Sequence, residues 1–179
     1  MTQPPIPESY WVIPDQFLAG EYPGHFSEQL ARQKLSAFLK AGITDFVDLT
    51  HAHELVPYES VLKELARLYE LNVNYTRIPI QDRGVPATES MRHILDTIDH
   101  AIENKRKVYV HCWGGIGRTG MTVGCYLVHH GEMPENAVAQ VDKLFHSRPK
   151  NIFHTRSPET DEQIQFILDW REPTRHGEK

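Results

Sequence analysis

The run Val108-Tyr109-Val110-His111-Cys112-Trp113-Gly114-Gly115-Ile116-Gly117-Arg118-Thr119-Gly120 constrains this chain more than any other stretch. Val108 to Val110 are β-branched or aromatic, as suits a buried strand, whereas Met121, Gly124, Cys125 and Val128 recur on one face of a helix. Gly114, Gly115 and Gly117 between them allow a tight loop. Strand, glycine-rich loop and helix start make an anion seat. The first helical N–H groups have no intrahelical partners, and the helix dipole places partial positive charge at the same end. The loop from Trp113 through Gly114, Gly115, Ile116 and Gly117 is the expected nest, and the planar fork of Arg118 can hold two oxygens of one anion. Cys112 lies beneath that seat. Thiols at helix N-termini beside cations ionise at roughly 3.5 to 7.5, so the field that holds an anion also makes a nucleophile.

His111-Cys112, five residues, then Arg118-Thr119-Gly120 spell H-C-x5-R-[S/T]-G, and with them the chain resembles the cysteine-dependent protein tyrosine phosphatases, in particular their compact dual-specificity group. The loop is also similar to that of cyclin-dependent-kinase-associated phosphatases. The resemblance implies a phosphomonoester hydrolase working through a cysteinyl phosphate on phosphotyrosine, and on phosphoserine or phosphothreonine, in phosphorylated proteins. It implies no metal and no cofactor, and a pocket that oxyanions such as phosphate or vanadate would inhibit. The family's general acid sits on a loop about 30 residues before the cysteine, where this chain has Asp82 in Ile78-Pro79-Ile80-Gln81-Asp82-Arg83-Gly84-Val85-Pro86. Asp45, Asp48 and Glu54 are rivals, and a surface turn pairing Asp82 with Arg83 is the plain alternative. By the same resemblance Thr119 would donate to the Cys112 sulfur, unless it is only a helix cap, and His111 would fix the loop through backbone hydrogen bonds. The run from Glu159 to Gln163 resembles the family's water-positioning segment with two glutamines; Gln163 matches the second, while Glu159 stands where the first would be.

Two further readings share the scaffold or the cysteine. A phosphoinositide or inositol phosphate phosphatase is one, but lipid-directed members tend to carry lysines in the loop and this one has none. A rhodanese-type sulfur transferase is the other; Arg118 and Thr119-Gly120 favour phosphate. A silent phosphate-binding module would need Cys112, Arg118 or Asp82 to be missing, and all are present.

The remaining periodicities predict strands over 10–13, 17–19, 44–50 and 73–80. Helices are predicted from Ser27 to a stop at Gly42, over 61–69, 88–104 and 134–147, and in a last one opened by Ser157-Pro158 and packed by Ile164, Ile167 and Leu168. Strands alternating with helices imply an α/β single domain with a central, mainly parallel twisted sheet of about five strands flanked by helices. Ligands bind such sheets beyond the strands' carboxyl ends, where Cys112 follows Val110. Residues 1–9 read as a flexible arm, 10–172 as the catalytic domain and 173–179 as a polar tail. The net charge of −5 and a pI near 6.1 argue against nucleic acid or an anionic membrane. No secretory leader or membrane-spanning run is seen, so a soluble, cytoplasmic protein is expected, with Cys125 packed in the core. His51 with His53, and His129 with His130, lack cysteine or carboxylate partners in the sequence, so no metal is expected. Arg148, Lys150 and Arg156 are either a basic rim or solvated surface.

Overall fold

The structure, a computed structural model, describes residues 3–148 and 154–171. Five strands, β1 (Ser9–Ile13), β2 (Phe17–Gly20), β3 (Ile43–Asp48), β4 (Asn74–Arg77) and β5 (Lys107–His111), form one sheet in the order β1-β2-β5-β3-β4. Only β1 and β2 pair antiparallel; β2 with β5, β5 with β3 and β3 with β4 are parallel. The helices are α1 (Glu28–Lys40), α2 (Glu59–Leu68), α3 (Thr88–Glu103), α4 (Gly117–His129), α5 (Pro134–His146) and α6 (Asp161–Leu168). The expected α/β sheet is therefore present.

Its two faces follow from the two-residue period of strands, which sends neighbouring side chains to opposite layers. Phe17, Ala19, Val47, Val108 and Val110 join α3, α4, α5 and α6 through Ile94, Met121, Val141 and Ile167. Leu18, Phe46 and Tyr109 face the other way onto Leu35 and Phe38 of α1 and Leu62 of α2. β5, central and apolar on both faces, ends with the cysteine loop at its carboxyl end.

Three boundaries differ from the sequence reading. Ile6 is buried in the cluster holding Leu18 and Tyr22, Glu8 O accepts from Glu21 N at 3.2 Å, and Ser9 already belongs to β1. Burying Ile6 ties residues 6–9 to the body and shortens the expected arm. β4 stops at Arg77, although Ile78 N and Ile80 N still donate to Asp48 O and Leu49 O, both at 3.0 Å. The last helix starts at Asp161, capped by Thr160, whose hydroxyl accepts from Gln163 N while the Gln163 side chain accepts from the Thr160 amide. Ser157 is instead spent on the cysteine loop. The expected tail 173–179, and Lys150, lie outside the described residues. Cys125 is buried and unpaired, and no described helix is long and apolar enough to cross a membrane.

α4 and α6 approach through Gly124, where an added Cβ would lie 2.3 Å from Ile167 Cδ1 and 2.8 Å from its Cγ1. Isoleucine is stiff in a helix, so overpacking of about 1–3 kcal/mol outweighs the gain of about 1 kcal/mol in helix propensity. Gly124→Ala should lower the urea unfolding midpoint with an unchanged slope; an unchanged or higher midpoint would show that α6 yields freely.

Candidate active site

The cysteine loop runs from the end of β5 to the start of α4, and its carbonyls are tied outward one after another. Cys112 O lies 3.2 Å from His111 Nδ1, Trp113 O accepts from Tyr22 N at 2.8 Å, and Gly114 O accepts from Arg148 Nη1 at 3.2 Å. Ile116 O accepts from the Ser157 hydroxyl at 2.7 Å and from Gly120 N at 3.1 Å. A planar peptide whose carbonyl faces out carries its N–H on the opposite side, so these anchors turn the loop amides toward the centre. The first amides of α4, beginning at Gly117, add the positive end of the helix dipole. Of the loop glycines only Gly115 has a left-handed backbone, φ 67°. A Cβ there would also lie 2.3 Å from the Gly20 carbonyl carbon, where the loop crosses the end of β2.

Beneath the loop His111 is fully buried. A carbonyl oxygen can only accept, so the contact with Cys112 O assigns the imidazole proton to Nδ1, and Nε2 accepts from the Tyr58 hydroxyl at 2.6 Å. Burial pushes the His111 value down, which keeps the ring neutral. The expected backbone hydrogen bond is thus made. Asp48, at the end of β3, accepts from the amide and hydroxyl of Thr50 at 2.8 and 2.7 Å, from the Tyr75 hydroxyl at 2.6 Å and from Arg77 at 3.0 Å. Burial alone would raise its carboxyl; the neighbouring imidazole, Tyr75 and Thr50 hold it below the usual range. So saturated a carboxylate is a buttress for the loop. Asp45, further back along β3, pairs with Arg106 at the entry to β5.

Arg118, 2% exposed, is the centre of the charged groups. Its Nη2 lies 2.6 Å from Glu54 Oε1 and 2.9 Å from Asp82 Oδ1, while Nη1 reaches Glu54 Oε2 at 2.9 Å and Ile80 O at 3.2 Å. Burial would lower the guanidinium's value, and Glu54, Cys112 and Asp82 together raise it. Cys112, Arg118 and Asp82 therefore share one field. Asp82 does not pair with Arg83, which instead binds Glu159 at 2.8 Å. Gln163, fully buried, donates from Nε2 to Gly84 O at 3.2 Å and accepts at Oε1 from the Glu159 and Thr160 amides. Residues 156–163 thereby hold both the acid loop and the cysteine loop.

Several expectations change here. Arg148 is no rim residue: it is 6% exposed, stacks over Phe145 with 4.1 Å from its guanidinium carbon to the ring centroid, and braces the loop. Arg156 is spent on Asp161 at 2.8 Å and Glu159 O at 3.1 Å. Thr119 is the third residue of α4, its hydroxyl buried and hydrogen-bonded to nothing, so the donation to the Cys112 sulfur is not made in this structure. Trp113, though in the loop, is 58% exposed. Glu54, placed only among the rivals for the acid, is the bidentate partner of Arg118; its position after the β3 loop, on the same sheet edge as Asp82, was the available signal. Tyr22, Arg148 and Ser157 gave none.

Glu54 and Asp48 are both held below ordinary carboxylate values, Glu54 because Arg118 and the His51 amide outweigh its burial. On acidification the unfolded chain protonates first, so their stabilisation is complete above about pH 5 and is lost as pH falls through about 4 and below. The urea midpoint should drop between about pH 5 and 3, and Glu54→Gln should flatten that drop; an equally steep fall in the variant would remove Glu54 from the balance.

The comparisons with known proteins agree with this geometry. The chain is 26% identical over 153 residues to protein 067L of Invertebrate iridescent virus 3, named as a candidate tyrosine phosphatase, covering 83% of this chain and 58% of that one. It is 34% identical over 68 residues to cyclin-dependent kinase inhibitor 3 of Homo sapiens, covering 37% of this chain and 32% of the relative. The chain thus spans well under two thirds of these relatives' length. Among solved structures, Tk-PTP in its active form superposes with a TM-score of 0.67 at 20% identity, covering 90% of this chain and 94% of that chain. Kinase associated phosphatase does so with 0.66 at 20%, covering 89% and 90%. At such identities the likeness concerns the fold. The model of the Swiss Army Knife protein DSP-PTPase phosphatase domain matches residues 7–167, and the chain belongs to that family.

Proposed function

We propose that the chain hydrolyses phosphomonoesters through a cysteinyl phosphate, acting on phosphotyrosine and also on phosphoserine and phosphothreonine in proteins. The observation that carries this reading is the position of Arg118, 2.9 Å from Asp82 and held in the field of Cys112. In the first step the Cys112 thiolate attacks phosphorus, the bond to the leaving oxygen breaks, and the Asp82 carboxyl gives that oxygen its proton. In the second, water attacks the phosphorus and loses a proton to the Asp82 carboxylate. The S–P bond breaks, and inorganic phosphate and thiolate are regenerated. Arg118 and the loop amides offset the charge on the equatorial oxygens in both steps. The unpaired Thr119 hydroxyl is available to the departing thiolate.

Protein substrates are favoured by what surrounds the mouth. Trp113 and Val85, from the cysteine and acid loops, are exposed apolar side chains suited to an aromatic ring and its apolar neighbours. Arg83 and Arg156, the cations nearest in sequence to the acid loop and the 156–163 segment, are already paired with Glu159 and Asp161. That leaves little for a polyphosphorylated headgroup. The second reading, a phosphoinositide phosphatase, draws on two comparisons. PTPMT1 in complex with PI(5)P has a similar fold, with a TM-score of 0.65 at 17% identity, and PTEN1 of Arabidopsis thaliana is 25% identical over 128 residues. A nucleophilic Cys112 also needs a reducing compartment such as the cytoplasm.

Turnover of p-nitrophenyl phosphate should be inhibited by vanadate and abolished by Cys112→Ser. Asp82→Ala should cost 10²–10⁴-fold, of order, on a phosphoserine peptide and far less on the aryl ester, whose leaving group needs no proton. Full turnover by Cys112→Ser would sink the mechanism. Faster hydrolysis of phosphoinositides than of a phosphopeptide panel would replace the protein reading with the second.

A further inference from the structure

A second cluster of chemistry-bearing side chains lies at the far end of α4, about 20 Å along the helix from the cysteine loop. His129 is the last residue of α4 and His130 its C-cap, and Asp99 reaches them from α3. Asp99 Oδ2 is 3.3 Å from His129 Nε2 and Asp99 Oδ1 is 2.9 Å from His130 Nε2. The three potential ligand atoms lie within 4.8 Å of one another. We propose that Asp99, His129 and His130 bind a divalent first-row transition metal, Zn²⁺ foremost, that ties α3 to α4.

Two imidazole nitrogens and a carboxylate oxygen form the borderline donor set that zinc takes, with open positions left for water. Ligand atoms about 2.0–2.1 Å from a tetrahedral ion are roughly 3.3 Å apart, and each imidazole already stands at about that distance from an oxygen of the Asp99 carboxylate. The site is also built beyond its ligands. The Tyr126 ring lies 4.3 Å from that of His130, centroid to centroid. Such an outer contact orients a ligating imidazole before an ion arrives. The two imidazoles stand edge to face at 80°, aiming both Nε2 atoms at one carboxylate. The C-terminal end of α4 contributes partial negative charge, which favours a cation there. Side-chain exposures of 16%, 47% and 23% for His129, His130 and Asp99 leave the ion a way in.

In the sequence these histidines had no carboxylate partner. Asp99 lies about 30 residues before them, and only the packing of α3 on α4 brings it there. The competing arrangement is a pair of His–Asp hydrogen bonds with no ion.

The test uses the full chain carrying Cys112→Ser, because the loop thiolate would otherwise compete for zinc. After chelator treatment and its removal, calorimetric titration with ZnCl₂ should show one ion per chain. Zinc should also raise the thermal midpoint by several degrees. His129→Ala, His130→Gln and Asp99→Asn, each checked for fold by circular dichroism, should weaken binding at least tenfold and remove the thermal shift. No binding below about 100 μM in the Cys112→Ser chain would overturn the site whatever the variants do, and so would binding undiminished in both histidine variants.

Discussion

The cysteine loop depends on where its carbonyl oxygens are held. A loop of small residues could point its dipoles either way, and an anion seat needs the N–H ends inward. The outward pull comes from four parts of the fold: His111 below, Tyr22 after β2, Arg148 after α5 and Ser157 before α6. None of these side chains or amides needs to touch a substrate. Each fixes a peptide plane, and orienting the dipoles during folding avoids reorienting them when charge develops. Their supports are themselves fixed, since Arg148 also donates to Glu8 O at 3.2 Å and the Ser157 amide donates to Asp142 at 3.0 Å.

The same economy governs Arg118. A buried guanidinium left alone would be costly, and Glu54 supplies two parallel hydrogen bonds that fix its plane. On the proposed reading an incoming phosphate dianion would meet a cation whose orientation is already set. The loop carrying Asp82 is registered to that cation from two sides. Ile80 O and Asp82 bind it directly, while Arg83 and Gly84 are tied to Glu159 and Gln163. The polar face of the 156–163 segment is thus explained by what it holds in place, whether or not it also orients water.

What could be read from the chain divides by the range of the interaction. Cys112, Arg118 and the strand-to-helix turn are local, as is the apolar alternation of β5 that feeds both cores. The nearness of Asp82 to the cysteine loop's arginine was legible because its loop leaves the same edge of a parallel sheet. Glu54 shares that edge, but its pairing with Arg118, like the contacts of Tyr22 and Arg148 with the loop, arises only when separate elements converge. The start of α6 is a different kind of miss. Ser157-Pro158 and Thr160-x-x-Gln163 both spell helix openings, and the second is the stronger signal, since a reciprocal capping box satisfies two orphan amides where a lone serine satisfies one. The serine was then free to serve Ile116 O.

α4 joins these observations into one argument. Its amino end brings the positive end of the helix dipole to the cysteine loop, and its carboxyl end brings the negative end to where His129, His130 and Asp99 meet. A helix of 13 residues is long enough to separate the two fields by more than a Debye length at physiological salt. It must also be slender enough for its neighbours to reach its ends. At Gly120 an added Cβ would fall 2.2 Å from the Ser157 hydroxyl, and at Gly124 it would strike Ile167. Small residues on α4 are therefore what let the α6 region close over it, and that closure brings Ser157 to the loop carbonyl and Gln163 to the acid loop. The bare flank of the helix and the polarity of the loop are one constraint met twice.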